Sequence, residues 1–290
     1  MAGAGFFEAL LQDLRYGVRL LRLNPAFTGT AVLSLALGIA ANTSIFTLVD
    51  QVLLRLLPVE NARELVQFRM EGGRVGSQNG DGLHTFSHPM YVAFRDRNTV
   101  FSGITGQYPE RLSMVADERG EMVDTGWVAG NFFQVLGVRP HIGRVLATDD
   151  DSTASPVVVL QYDFWRVRYG GRQDVVGSTI KLNGTPFTIV GVAAPEFGGT
   201  NAGLLTQLWA PTRAKVILAP EFKTDLENER YHWFYLTARL KPGVTLEQAQ
   251  TAMRVLHEQR KQEEVKGEFF AKFPDTKKRF LRQTLLLVPA

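Results

Sequence analysis

Cysteine is absent from all 290 residues. That excludes disulfides, thiol catalysis and cysteine-ligated zinc. It leaves the compartment open, because an oxidising one permits disulfides without requiring them. Phosphate-cradling G-x-x-x-x-G-K-[ST] spacing is missing too, so the stretch GGRVGSQNGDG at 72–82 reads as a flexible connection. There is no G-x-S-x-G elbow and no H-E-x-x-H pair. Net charge is only +3, too small by itself to point to nucleic acid. With 45% hydrophobic and 21% charged residues, the composition is that of an ordinary globular chain.

The most informative absence is local. From Leu23 to Val49, LNPAFTGTAVLSLALGIAANTSIFTLV, 27 residues pass without Asp, Glu, Lys, Arg or His. A bilayer core needs about 20 apolar helical residues. Buried helices of soluble proteins seldom stay uncharged this long. A cleaved signal peptide is also disfavoured, since more than twenty residues precede the run and the run is too long. The stretch reads as an uncleaved transmembrane helix, spanning 25–57 with Pro58 as its stop. Thr30, Ser34, Gly38 and Asn42 recur every four residues and share one helix face, a candidate surface for packing against another membrane helix. The plainer alternative is that small residues are common in such helices.

Just upstream, FFEALLQDLRYGVRLLR at 6–22 carries its apolar residues at helical spacing. It reads as an amphipathic helix at the membrane surface, within a segment 1–24, with Arg15, Arg19 and Arg22 as candidate contacts to lipid phosphate. A core-packed helix is the alternative. Arg15, Arg19 and Arg22 on one side balance Arg55, Arg63 and Arg69 on the other, so charge alone does not orient the span.

About 230 residues follow, enough for one large domain or two small ones. Their pattern is α+β with many short strands. Strands are expected at 64–70, in runs over 104–128 broken by turns at Pro109-Glu110 and 118–120, and at 157–160, 207–210, 233–240 and 284–288. A hairpin is expected over 179–192 around Asn183-Gly184. Helices are expected after Ser87, at 131–136 up to Gly137, at 162–169, and from Thr245 to about Lys266, followed by a charged remainder to Lys278. Trp127, Phe132, Phe133, Phe164 and Trp165 are expected in the core. Gly191 is expected at a turn or strand end.

Candidate chemistry is thin. His84 and His88 stand four apart, but Pro89 adjoins the second and no ligand pattern accompanies them. His141, His232 and His257 are scattered and expected to make local hydrogen bonds. Asp149, Asp150 and Asp151 could suggest calcium, yet EF-hand spacing is absent and a solvated turn is the simpler reading. No catalytic residue, metal or cofactor is assigned.

Three passages carry a family resemblance: DLRYGVRLLRLNPAFTGTAVLSLALGIAANTSIFTLVDQVLLRLLP at 13–58, VAGNFFQVLGVRPHIGR at 128–144, and VVVLQYDFWRVRYGG at 157–171 through VVGSTIKLNGTPFTIVGVAAPEFGG at 175–199. WFYLTARLKPGVTLEQAQTAM at 233–253 fits the end of the same domain. Together they resemble the MacB/FtsX-type ABC transporter permeases, above all the large, often duplicated orphan permeases abundant in acidobacteria. The resemblance implies a surface helix on the cytoplasmic side, one helix through the bacterial inner membrane, and a periplasmic core domain at 58–290. It implies two lobes, the first from about 58–118 and 230–290, and an inserted β-rich lobe at about 119–229. It further implies a membrane subunit driven by a separate cytoplasmic ATPase, with no catalysis of its own. The family carries three more membrane helices after the periplasmic domain. The chain is therefore expected to be a truncated permease, the first half of a split one or a degenerate remnant, with another permease chain as partner alongside membrane lipid. The alternative is a stand-alone anchored periplasmic binding or scaffold protein. An anchored hydrolase would need a nucleophile–base pair that the sequence does not display.

Overall fold

The computed structural model describes residues 15–17, 19, 21–49, 59–72, 83–200 and 206–290. It divides into two units, Met1–Arg55 and Leu56–Ala290. Residues 6–14 of the expected surface helix, the helix extension at 50–57 and most of the Gly-rich connection lie outside the described residues.

In the first unit, residues 15–17, 19 and 21–23 are helical, and helix α1 spans Pro25–Val49. Proline suits a first turn, whose N–H groups have no partner within the helix. Thr28 ties that turn: its N–H and its hydroxyl both reach Asn24 O at 3.0 Å, and the hydroxyl also reaches Leu21 O at 2.8 Å. Twenty-five residues make a rod of about 37 Å, longer than the roughly 30 Å of a bilayer core. Phe27, Leu33, Leu35, Leu37 and Ile39 are all exposed. The stretch Pro25–Ser44 has a mean hydropathy of 1.4, and none of it is buried.

The second unit is built on one mixed sheet. Its strands are β1 (Leu65–Glu71), β2 (Thr85–Phe86), β3 (Phe101–Ala116), β4 (Arg119–Val128), β5 (Pro140–Gly143), β6 (Val157–Leu160), β7 (Thr179–Leu182), β8 (Thr185–Ala193), β9 (Leu208–Pro211), β10 (Phe234–Leu240) and β11 (Thr284–Pro289). They run in the order β11-β1-β10-β3-β4-β9-β6-β8-β5, with β2 on β10 and β7 joining β3 to β8. Among the described residues, only the β4–β9 and β6–β8 pairs are parallel.

Strand β3 is the spine. Its first half pairs with β10 and buries Phe101 and Ile104 in a core with Phe68, Phe94, Phe234 and Met253. Its second half pairs with β7 and buries Leu112 and Met114 beside Trp127, Ile180 and Phe187. Pro109 does not turn the chain, contrary to expectation. It lies inside β3, paired with Gly126, where β10 has ended on the other edge and β7 has not begun. The missing N–H therefore breaks no ladder bond. Gly191 also departs from expectation: it sits within β8, where a side chain would meet the carbonyl of Ile142 at 2.7 Å.

Helices cover the sheet. Helix α2 (His88–Arg97) starts where Ser87 accepts a bond from Met90 N at 3.3 Å. Helix α3 (Phe132–Leu136) ends on Gly137 at φ 71°. Short α4 (Thr148–Ser152) and α5 (Tyr162–Tyr169) precede the β7–β8 hairpin, whose turn has Asn183 at φ 45° and Gly184 at φ 84°. Two short helices, α6 (Lys215–Leu218) and α7 (Phe222–Glu227), precede β10. Long α8 (Leu246–Glu264) opens with a reciprocal Thr245–Gln248 capping box. The charged remainder forms α9 (Glu268–Lys272) and α10 (Pro274–Leu281), closed on Val265, Phe270 and Phe280. Finally β11 runs back along β1, and Ala290 N donates to Leu65 O at 3.1 Å. The first and last strands of this unit thus lie side by side.

Candidate functional site

A cleft of about 820 Å³ opens among α2, α6–α7, α8 and the turn after α4. Helical spacing on α2 sends Val92 toward it, and α6 and α7 add Val216 and Leu226. Pro89 and Ala93 complete an apolar floor. Ser152 to Ala154 and Arg213 close the side toward the second core.

Charges crowd the rim, and most neutralise one another. Arg97 meets Glu263 at 3.1 Å, and the buried Arg260 pairs with Glu229. Arg213 and Lys223 have no ion-pair partner among the described residues, and neither does Glu227. His88 is buried on the wall with Nδ1 3.2 Å from Leu226 O, which makes Nδ1 the protonated nitrogen. Burial, aided by the Arg213 charge, lowers its pKa to about 4, so the ring is neutral at pH 7.

A buried carboxyl and a part-buried ion pair lie near. Burial next to Glu229 pushes the Glu264 carboxyl up to about 8, and its Oε2 has no hydrogen-bond partner. Between the two cores, Lys215 Nζ lies 2.6 Å from Glu110 Oε2, which also accepts from Trp127 Nε1 at 2.6 Å. The same ammonium stands over the rings of Phe222 at 4.9 Å and Tyr108 at 5.0 Å. It is an internal ion pair pinned among aromatics from both cores.

Chemically, these arrangements can bind and hold. Among the described residues, no three His, Asp or Glu side chains are grouped to hold a metal ion. His84 is half-buried, while His88 bonds to Leu226.

The MacB-like periplasmic core domain model matches residues 28–256, most of the chain. The chain belongs to the MacB-like periplasmic core domain family. The architecture agrees. The periplasmic region of MacB from Actinobacillus actinomycetemcomitans superposes with a TM-score of 0.53 at 14% identity, covering 72% of this chain and 88% of that one. A permease-protein domain from Porphyromonas gingivalis gives 0.57 at 17% identity, covering 80% and 92%. At such identities the likeness concerns the fold. No curated protein matches. The chain therefore carries the periplasmic core domain of the MacB/FtsX-type ABC permease family, with one apolar helix near its N-terminus.

The residues singled out from sequence fall in different places. Thr30, Ser34, Gly38 and Asn42 all lie exposed along one line of α1. Thr30 spends its hydroxyl on Ala26 O at 3.0 Å, and a side chain at Gly38 would meet nothing. Arg15, Arg19 and Arg22 are exposed and helical. None of the seven belongs to the MacB-like domain's cleft.

The three aspartates lie in helix α4 rather than a turn, and only Asp149 is exposed to solvent. Asp150 is buried, held by Arg144 at 2.6 and 2.8 Å and by Ala147 N at 2.9 Å. Asp151 accepts from Arg213 N at 2.8 Å. His257 departs from expectation too: it is fully buried and neither ring nitrogen has a partner. The cleft leaves no local trace in the sequence, because its walls come from four separate segments between His88 and Glu263. Arg213 and Lys223 had no local signal, and α7 was not anticipated.

Proposed function

We propose that this chain is a membrane subunit of a MacB-like ABC permease, coupled to a separate cytoplasmic ATPase. Helix α1 crosses the bacterial inner membrane once, and the core domain stands in the periplasm as two lobes, 58–118 with 230–290 and 119–229. Arg15, Arg19 and Arg22 rest against lipid phosphate. The face of Thr30, Ser34, Gly38 and Asn42 packs against a helix of a further permease chain. The chain supplies no catalytic residue; ATP chemistry belongs to the partner.

One observation carries this reading. The first and last strands of the unit, β1 and β11, pair from Val66 with Pro289 to Glu71 with Thr284. Strand β1 also pairs with β10, and β10 with β3, which runs through both cores. In this reading, a displacement at β1 is carried into the domain by these hydrogen-bonded ladders. A stand-alone anchored binding protein is the second reading, favoured by the cleft.

Mild-detergent extraction and affinity purification of the full chain tests the choice. Co-purification of a nucleotide-binding ATPase is expected. Recovery as a lone monomer, with no ATPase crosslinked in intact membranes, favours the second reading. Release of the intact chain by alkaline carbonate washing would defeat both, since each needs the span.

A further inference from the structure

We propose that the cleft among α2, α6–α7 and α8 binds a small amphiphilic anion: an aromatic or aliphatic body carrying one carboxylate or phosphate. Its volume of about 820 Å³ falls within the roughly 300–1,000 Å³ typical of small-ligand sites. Val92, Val216 and Leu226 offer an apolar floor. Such surface left open is stabilised when an apolar body covers it.

The rim supplies the sign. Arg97 and Arg260 are already neutralised by Glu263 and Glu229. That leaves the exposed Arg213 and Lys223 as cations without an ion-pair partner among the described residues. Both border the cleft, Arg213 from the segment after β9 and Lys223 from α7. A planar guanidinium suits a carboxylate or phosphate and can bind it through two bonds. Glu227, also without a partner, stands four residues after Lys223, and it opposes heads of higher negative charge. His88 walls the site as a neutral ring and adds no competing charge. Because Ser152 to Ala154 come from the end of α4 and the turn after it, while α2 and α8 pack on the core around Phe94 and Met253, an occupant would touch both at once.

This inference goes beyond the proposed role and is read without any ATPase, so the two stand or fall separately. The test uses the full chain in amphipol, with ligand-observed NMR titration of three probes: 2-naphthoate, 2-naphthylmethylammonium and inorganic phosphate. Naphthoate is expected to bind at least about tenfold more tightly than either of the others. The exposed double substitution Arg213→Ala with Lys223→Ala should weaken naphthoate by about tenfold or more. Val92→Trp, which fills the floor, should also abolish binding. Lys272→Ala with Lys278→Ala removes two exposed cations elsewhere and should change nothing. Absence of naphthoate binding overturns the proposal. So does equal binding of the ammonium probe or of bare phosphate. Unchanged affinity in the Arg213/Lys223 variant, with circular dichroism showing it folded, overturns it as well.

Discussion

His257 is a polar ring in a place that offers nothing polar. It is fully buried, faces the Phe94 ring at 6.3 Å between centroids, and has two nitrogens without partners. A buried donor or acceptor left unmade costs about 1–3 kcal/mol. Replacing it by an apolar group of similar size removes that cost, so His257→Leu should stabilise the domain by about 1–2 kcal/mol at pH 7. Urea unfolding would show it as a higher midpoint at constant slope; a lower midpoint would mean that the ring has a partner after all. Residue by residue, sequence reading found the burial of Trp127, Phe132 and Phe133, because large aromatics have few other places to go. It could not find the fate of Asp150 or His257. Their environments are set by Arg144 across a turn and by Phe94 on another helix, and neither relation leaves a periodic trace.

Local chemistry decided most elements, and these were legible. Ser87 before Pro89, Thr245 before Gln248, Gly137 after Leu136 and the Asn183-Gly184 turn each stand where sequence placed them, because the partner of each lies within four residues. Pro109 and Gly191 were misread for the opposite reason. Whether a proline interrupts a strand depends on which neighbour occupies the edge at that point. Whether a glycine turns the chain or admits another strand depends on what approaches it. At Gly191 the backbone of β5 and of Arg144 comes so close that no side chain fits. Gly191→Ala should therefore cost about 1–3 kcal/mol by forcing β5 off β8. Hydrogen exchange should locate the loss at 140–144 and 189–192. Uniform loss across the sheet would contradict the local mechanism. Helices α9 and α10 escaped notice because their charge hid Phe270 and Phe280, which pack on each other at 4.7 Å.

At the scale of the whole domain, buried titratable groups set how stability follows pH, and they pull in opposite directions. Burial holds His88 and His232 down to about 4 and His257 down to about 3, each from an ordinary 6.5. Below pH 6.5 the unfolded chain takes up protons that the folded one refuses, so acid favours unfolding progressively down to about pH 4. Glu264 works the other way. Burial and the Glu229 charge raise it from 4.5 to about 8. The folded state keeps a proton that the unfolded chain releases, and this contribution, complete below 4.5, is lost as pH rises to about 8. Each proton of difference is worth about 1.4 kcal/mol per pH unit. Three histidines outweigh one carboxyl on the acid side, and above pH 6.5 only the carboxyl remains of these four. Urea midpoints of the full chain should therefore peak between about pH 6 and 7 and fall on both sides. In Glu264→Gln the fall between pH 6.5 and 8 should disappear, and the acid limb should steepen between about pH 4.5 and 6.5, because the carboxyl that opposed the histidines there is gone. An alkaline limb unchanged in that variant would place its origin elsewhere. A flat profile from pH 4 to 6.5 would mean that the three histidines are protonated in the folded domain, which their burial opposes.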